Sequence, residues 1–326
     1  MQKRPFGNTG FAATPIAFGA MRIQANSAGV SDVLLDALES GVNFIDTARN
    51  YGESEAIVGR TLKEWKGARP FIATKVKPLD VANWRFYVPL EKQFTPASIV
   101  ESVETSLRTL GIDCLDLIQL HQWYYLWVQR PEWLETLKQL QAQGKVRFIG
   151  VSAQDHEHDA VLPLIDAKMV DAVQIFLNAF ESRPFVSAIP LCEQRRVGVV
   201  ARCIFDHSGA LAGAATREML RADVKLSHAS PEIVTEYLHR IARLKVDLCD
   251  ETMTLAELAV RFALSRPGVS AIAVSLSTPG QVEEAVRAAE KGPLPEELFQ
   301  RVCREHVWVK NFYYFSKATV DGNPRK

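Results

Sequence analysis

Eight short apolar runs, each followed by an amphipathic stretch, predict an α/β fold, a single (β/α)8 TIM barrel domain over residues 1–326. The runs are almost continuously apolar, as parallel strands buried on both faces require. Polar titratable residues stand directly at the ends of several runs, where such a barrel carries its site.

The first unit joins the segment around 14–20 to an amphipathic stretch at 30–39. Phe44-Ile45 lies in the second strand, with a helix over 54–65. Strand 70–74 precedes helix 96–110, strand 115–120 precedes helix 131–143, and strand 146–151 precedes helix 159–167. The last units pair strand 170–176 with helix 184–194, strand 197–201 with helix 255–264, and strand 269–274 with helix 279–290. Two interruptions, at about 77–94 and 206–231, are longer than ordinary connectors and are expected to be functional loops. The C-terminal segment at about 301–326 carries His306, Trp308, Phe312, Tyr313, Tyr314 and Phe315. It either folds over the barrel mouth or packs on the barrel wall.

The composition is 47% apolar and 23% charged, enough for a large core. The 38 Lys and Arg balance the 38 Asp and Glu, so bulk charge offers no pull towards nucleic acid or an anionic membrane. Five scattered cysteines without a CxxC pair suit a reducing compartment. The first ten residues lack the layout of a signal peptide, and no run is long enough to span a bilayer. A cytoplasmic protein acting on a small molecule is expected.

Four residues carry the chemistry. Asp46 ends the 42–45 run, Tyr51 follows five positions later, Lys75 ends the 71–74 run, and His121 ends the 115–120 run. Each alone has an ordinary explanation: Asp as a turn former, Tyr as packing, Lys and His as solvated groups. Together on one rim they make chemical sense. Hydride addition to a carbonyl leaves a negative oxygen that needs a proton. A phenol is a poor acid or base near neutral pH, and a neighbouring ammonium favours its ionisation. Asp46 would keep Lys75 in place and charged. His121 would orient the substrate oxygen or share a proton with Tyr51.

The stretch from Gly41 to Gly52, GVNFIDTARNYG, resembles the signature of the aldo-keto reductase family. So do Thr74-Lys75, the DLIQLH run ending at His121, and GKVRFIGVS ending at Ser152. The resemblance runs from about Phe6 to about Glu290. It implies a nicotinamide cofactor bound without a Rossmann domain, which agrees with the absence of any GxGxxG. It also implies that Tyr51 is the acid and base, with Asp46, Lys75 and His121 completing a tetrad, and that a carbonyl or alcohol is the substrate.

The cofactor positions match in part. Ser152 and Gln174 are in place. Ala153 stands where an asparagine is common, with Gln154 next as a substitute amide, and Arg202 replaces a ring-stacking tyrosine. Ser208 and Leu211 fall in a segment similar to a pyrophosphate-covering loop. After the eighth strand, Ser275, Ser277 and Gln281 are the candidate contacts; no cation lies between 275 and 281, and Ala285 replaces an expected asparagine. Family likeness implies NADP, with NAD as a rival and Arg287 as a more distant cation. Trp123, Tyr124, Tyr125 and Trp127 follow His121 and either pack under the neighbouring loop or line an aromatic substrate pocket; their place directly after His121 favours the second, with Trp84 and Tyr87 facing the same pocket. His156 and His158 beside Asp155 lack a third ligand and read as a solvated loop, not a metal site. Two other functions fit these residues: a nicotinamide-binding barrel acting as sensor or partner, and a redox-neutral epimerase or eliminase with retained cofactor.

Overall fold

A computed structural model describes residues 1–23, 30–80, 87–213, 215–223, 226 and 229–308. Eight parallel strands close into a barrel: β1 (Ile16–Gly19), β2 (Phe44–Asp46), β3 (Phe71–Val76), β4 (Leu115–Leu120), β5 (Val146–Ser152), β6 (Ala172–Phe176), β7 (Gly198–Arg202) and β8 (Ala271–Val274). Each pairs with its sequence neighbour, and β8 closes the ring on β1 through Ile272 opposite Ile16. The outer helices are α1 (Val30–Glu39), α2 (Ser54–Glu64), α3 (Pro96–Leu110), α4 (Glu132–Ala142), α5 (Leu162–Asp166), α6 (Ala188–Arg195), α7 (Leu255–Ala263) and α8 (Pro279–Glu290).

Helix ends follow local chemistry. Thr95 and Ser98 form a reciprocal capping box at the start of α3, Pro96 takes the first position, and Gly111 ends the helix with φ 67°. Thr278 caps α8 through the Gln281 amide. The second long interruption is not a bare loop. It holds the short helix Arg217–Ala222 and leads into Pro231–Leu248, an 18-residue helix that buries Val234, Tyr237, Ile241, Leu244 and Leu248. Among the described residues, no helix is long and apolar enough to cross a membrane.

At the N-terminal end of the barrel, the hairpin pairing Arg4–Pro5 with Ala12–Ala13 drives Phe6 inside, where it packs against Phe44 and Phe71 at 5.4 and 5.5 Å. Gly7, at φ 56°, would set a Cβ 2.4 Å from the Gly198 nitrogen, so only glycine allows this plug. Above Phe6, alternate residues face inward. Phe44, Phe71, Leu117, Ala172, Val200 and Ala271 form an apolar floor. Further along three of these strands come Asp46, Lys75 and Gln174, two residues past Phe44, four past Phe71 and two past Ala172, and they form a polar layer beneath the C-terminal mouth.

Candidate active site

Lys75 is the centre of the polar layer. Its side chain is 0% exposed. The ammonium donates to Asp46 Oδ1 and Oδ2 at 2.9 and 2.8 Å and to the Thr47 carbonyl at 2.9 Å. Gln174 Nε2 donates to Asp46 Oδ1 at 2.9 Å from the far side of the barrel. Burial works against the charge of Lys75, but Asp46 and Tyr51 outweigh it, so the ammonium is held above its usual pKa.

Tyr51 comes from the β2–α2 connection, where its N–H donates to the Ala48 carbonyl at 3.1 Å. Its half-buried ring lies with the Lys75 nitrogen 5.0 Å from the centroid. Tyr51 Oη and His121 Nε2 stand 3.4 Å apart, and the two rings meet edge to face. This contact is long for a hydrogen bond, so one substrate oxygen can sit against both groups. Burial raises the Tyr51 pKa; Lys75 and Arg202 pull it down and Asp46 pushes it up, leaving it above the ordinary phenol value. Asp46, Tyr51, Lys75 and His121, read from four separate places in the chain, are thus brought together at one mouth.

The rim beside them is built by β5, β6 and β7. Ser152 Oγ reaches Gln174 Oε1 at 3.4 Å, too long to satisfy either group fully, so the pair suits a carboxamide that both donates and accepts. Arg202, at the end of β7, donates to Asp155 at 2.6 Å and to the Ala153 carbonyl at 2.7 Å. Asp155, read from the sequence only as a neighbour of His156, is a partner of Arg202 that the sequence reading did not pair with it; the signal was an acid after one barrel strand and a base at the end of another. Gln154 meets the hydroxyl of Tyr124, whose pKa burial pushes up to about 12.

Several other residues differ from expectation. Trp123 does not line the pocket. It is 0% exposed, donates to the Ala160 carbonyl at 2.9 Å and packs on Trp127 and Trp133 at 6.0 and 5.2 Å. Trp127 is equally buried, because both indoles fill the space beneath the loop and bond to backbone carbonyls. Tyr124 stays half-buried at the mouth, 5.7 Å from Tyr87, while Tyr125 is exposed. Trp84 lies outside the described residues. His158 is buried, and His156 pairs with Glu181 at 2.8 Å, so this loop is packed where a solvated one was expected. Trp308 bonds to the Phe180 carbonyl and packs on Phe180 and Tyr237, which seats the tail beside the β6–α6 connection; residues 309–326 lie outside the described residues.

Of the candidate phosphate contacts, Ser208 Oγ donates to Asp223 at 2.8 Å, and the Leu211 N–H is already committed to the Phe205 carbonyl at 2.9 Å. Ser275 follows β8 half-buried. Ser277 and Gln281 are exposed at the start of α8, joined by a 2.8 Å bond from the Ser277 N–H to Gln281 Oε1. Arg287 sits in the last turn of α8, paired with Glu283.

A closed parallel barrel with this polar cluster at its C-terminal mouth defines a (β/α)8 enzyme class. The Aldo/keto reductase family profile matches residues 15–304, and the chain belongs to that family of oxidoreductases. The chain is 31% identical over 306 residues to aldo-keto reductase YhdN of Bacillus subtilis (strain 168), covering 87% of each protein. It is 25% identical over 312 residues to the NADH-specific methylglyoxal reductase of Escherichia coli (strain K12), covering 88% of this chain and 93% of that one. Among solved structures, the holo form of aldo-keto reductase AKR11C1 from Bacillus halodurans superposes with a TM-score of 0.75 at 25% identity, covering 95% of this chain and 99% of that one.

Proposed function

We propose that the protein moves hydride between a nicotinamide dinucleotide and a small aldehyde, ketone or sugar, with Tyr51 as general acid in reduction and general base in oxidation. The observation that carries this reading is the Lys75 ammonium 5.0 Å from the Tyr51 ring centroid, anchored on Asp46 and buried. When bound, the nicotinamide supplies or receives the hydride. Tyr51 Oη then gives the carbonyl oxygen its proton, and Lys75 stabilises the phenolate left behind. His121 holds the same oxygen from the other side, so the pair forms an oxyanion site in a water-poor mouth.

Ser152, Gln174 and Gln154 would hold the carboxamide, and Arg202 would contact the ring. Ser208 would help cover the pyrophosphate, whereas the Leu211 N–H, expected to join it, is already taken by the Phe205 carbonyl; Ser275, Ser277 and Gln281 would face the adenosine end. The hydroxyls of Tyr124 and Tyr51, with His121 and Gln154, make the mouth polar, which suits an oxygen-bearing substrate. Positions 275–281 contain no Lys or Arg, and Arg287 is engaged at the far end of α8. We therefore infer that NAD(H) is bound in preference to NADP(H), because a 2′-phosphate finds no charge partner there.

Titrating the protein with NADH and NADPH, followed by quenching of its tryptophan fluorescence, tests the cofactor. Turnover with 4-nitrobenzaldehyde as probe carbonyl, compared with Tyr51→Phe, tests the chemistry. Loss of about 100-fold or more in kcat with an unchanged cofactor Kd is expected. Full activity in Tyr51→Phe removes the proposed acid. Tight binding with no turnover by the wild type towards any carbonyl or alcohol makes the protein a nicotinamide-binding barrel instead.

A further inference from the structure

A buried carboxylate outside the catalytic set joins the segment that carries Tyr51 to the strand that carries Lys75. Glu55, in the first turn of α2, is 2% exposed. Its Oε1 accepts from Thr74 Oγ1 at 2.7 Å and from Ser106 Oγ at 2.7 Å. Its Oε2 accepts from Arg49 Nη1 at 2.9 Å. Thr74 and Ser106 are both 0% exposed. Desolvation disfavours a carboxylate here and the three donors offset it, but an apolar cluster replacing Glu55 together with Thr74 and Ser106 would serve packing about as well. Stability alone therefore does not explain why a charged hub stands here.

The arrangement around it does. Arg49 and Glu55 stand on either side of Tyr51, so their ion pair closes that segment into a loop. A second clip lies inside the first: Thr47 Oγ1 and Ser54 Oγ are 2.7 Å apart, and Ser54 Oγ donates to the Ala20 carbonyl at 2.8 Å. On the other side, Thr74 immediately precedes Lys75 and faces outward from β3 because Lys75 faces inward. Helix α2 has little freedom to slide. A Cβ on its Gly59 would come within 2.7 Å of the Thr109 carbonyl of α3, and Ser106 of the same helix holds Glu55.

The geometry points to Glu55 as a positioning residue that sets the spacing between the Tyr51 phenol and the Lys75 ammonium. It rests on the proposed role of Tyr51 and touches neither substrate nor cofactor. Tyr51 is faced by Lys75 from β3, Asp46 from β2, Arg202 from β7 and His121 after β4. Of these, Lys75 is the cation whose distance Glu55 controls, so loosening the hub weakens the influence that favours phenolate.

The test uses the full chain with NADH and 4-nitrobenzaldehyde. In Glu55→Gln, kcat is expected to fall by about ten-fold or more, as misplaced reacting groups produce. The NADH Kd is expected to stay at its wild-type value, and the limb of the kcat–pH profile assigned to the phenol to move upward. Thr74→Val removes one arm of the hub without touching the carboxylate and is expected to move kcat and the profile the same way. It decides the matter by itself if Glu55→Gln does not fold. Leu107→Ala, a core truncation on α3, is the structural control: a lower unfolding midpoint with an unmoved pH profile. Wild-type kcat and pH profile in both hub variants overturn the positioning role, as does a change that Leu107→Ala reproduces. Absence of turnover in the wild type overturns the proposed function and this role together, whereas an active wild type with indifferent variants overturns this role alone.

Discussion

The Lys75 ammonium donates to both carboxylate oxygens of Asp46, at 2.9 and 2.8 Å, in the interior of the barrel. The pair is anchored by the Thr47 carbonyl and by Gln174, so the cation beside Tyr51 has one position. Held on those acceptors, the ammonium lies 5.0 Å from the Tyr51 ring centroid, where its charge pulls the phenol pKa down against burial.

Breaking that pair from one side should be worse than removing it. Asp46→Asn leaves a buried ammonium facing a neutral amide and is expected to lower unfolding free energy by about 3–5 kcal/mol. Asp46→Asn combined with Lys75→Met removes both charges and should regain part of that loss while activity stays abolished. Urea unfolding curves with parallel rate measurements check it. A double variant no more stable than the single one contradicts the account.

The pH dependence follows from the raised phenol. Burial lifts the Tyr51 pKa more than Lys75 and Arg202 lower it. The phenol therefore stays protonated through the neutral range, and carbonyl reduction should hold level there and fall only above about pH 10. Alcohol oxidation needs the phenolate and should climb towards the same region. Initial rates in both directions across alkaline buffers test this; a reduction rate that already falls on passing pH 7 contradicts it.

Arg202 contributes charge and shape together. Arg202→Met takes away one of the two cations that oppose the effect of burial on Tyr51, and removes the guanidinium from Asp155 and the Ala153 carbonyl. We expect weaker dinucleotide binding together with a further upward move of the phenol limb. Fluorescence titration and the pH profile report the two separately. Unchanged binding would show that Arg202 only joins the loops.

A cation placed at the start of α8 should change cofactor choice. Ser277 is exposed, and its neighbours 275–281 carry no base. Ser277→Arg is expected to improve NADPH affinity by about ten-fold, near 1.4 kcal/mol, and leave NADH nearly unchanged. Equal gains for both dinucleotides would place the 2′-phosphate elsewhere.

Much of the fold is legible in the chain. The strand at 115–120 and the helices at 96–110 and 279–290 fall where their apolar runs and caps place them. The helix Pro231–Leu248 carries its own signals: Ser230 as cap, Pro231 in the first turn, and apolar residues at 234, 237, 241, 244 and 248. They fall in what otherwise reads as an extended loop. Trp123 and Trp127 show the limit of adjacency. They follow His121 in sequence, yet both indoles turn beneath the loop, and only the half-buried Tyr124 stays at the mouth.

What the sequence determines by itself is the alternation of strand and helix, and the strand ends at which Asp46, Lys75 and His121 sit, because period and punctuation are local properties of the chain. Which groups meet across the barrel is decided only by closure. The bond from Gln174 to Asp46 spans 128 positions, Arg202 finds Asp155 over 47, and Glu55 collects Thr74 and Ser106 from two different elements. These contacts depend on the stagger and curvature of eight strands at once, which no local run of residues encodes.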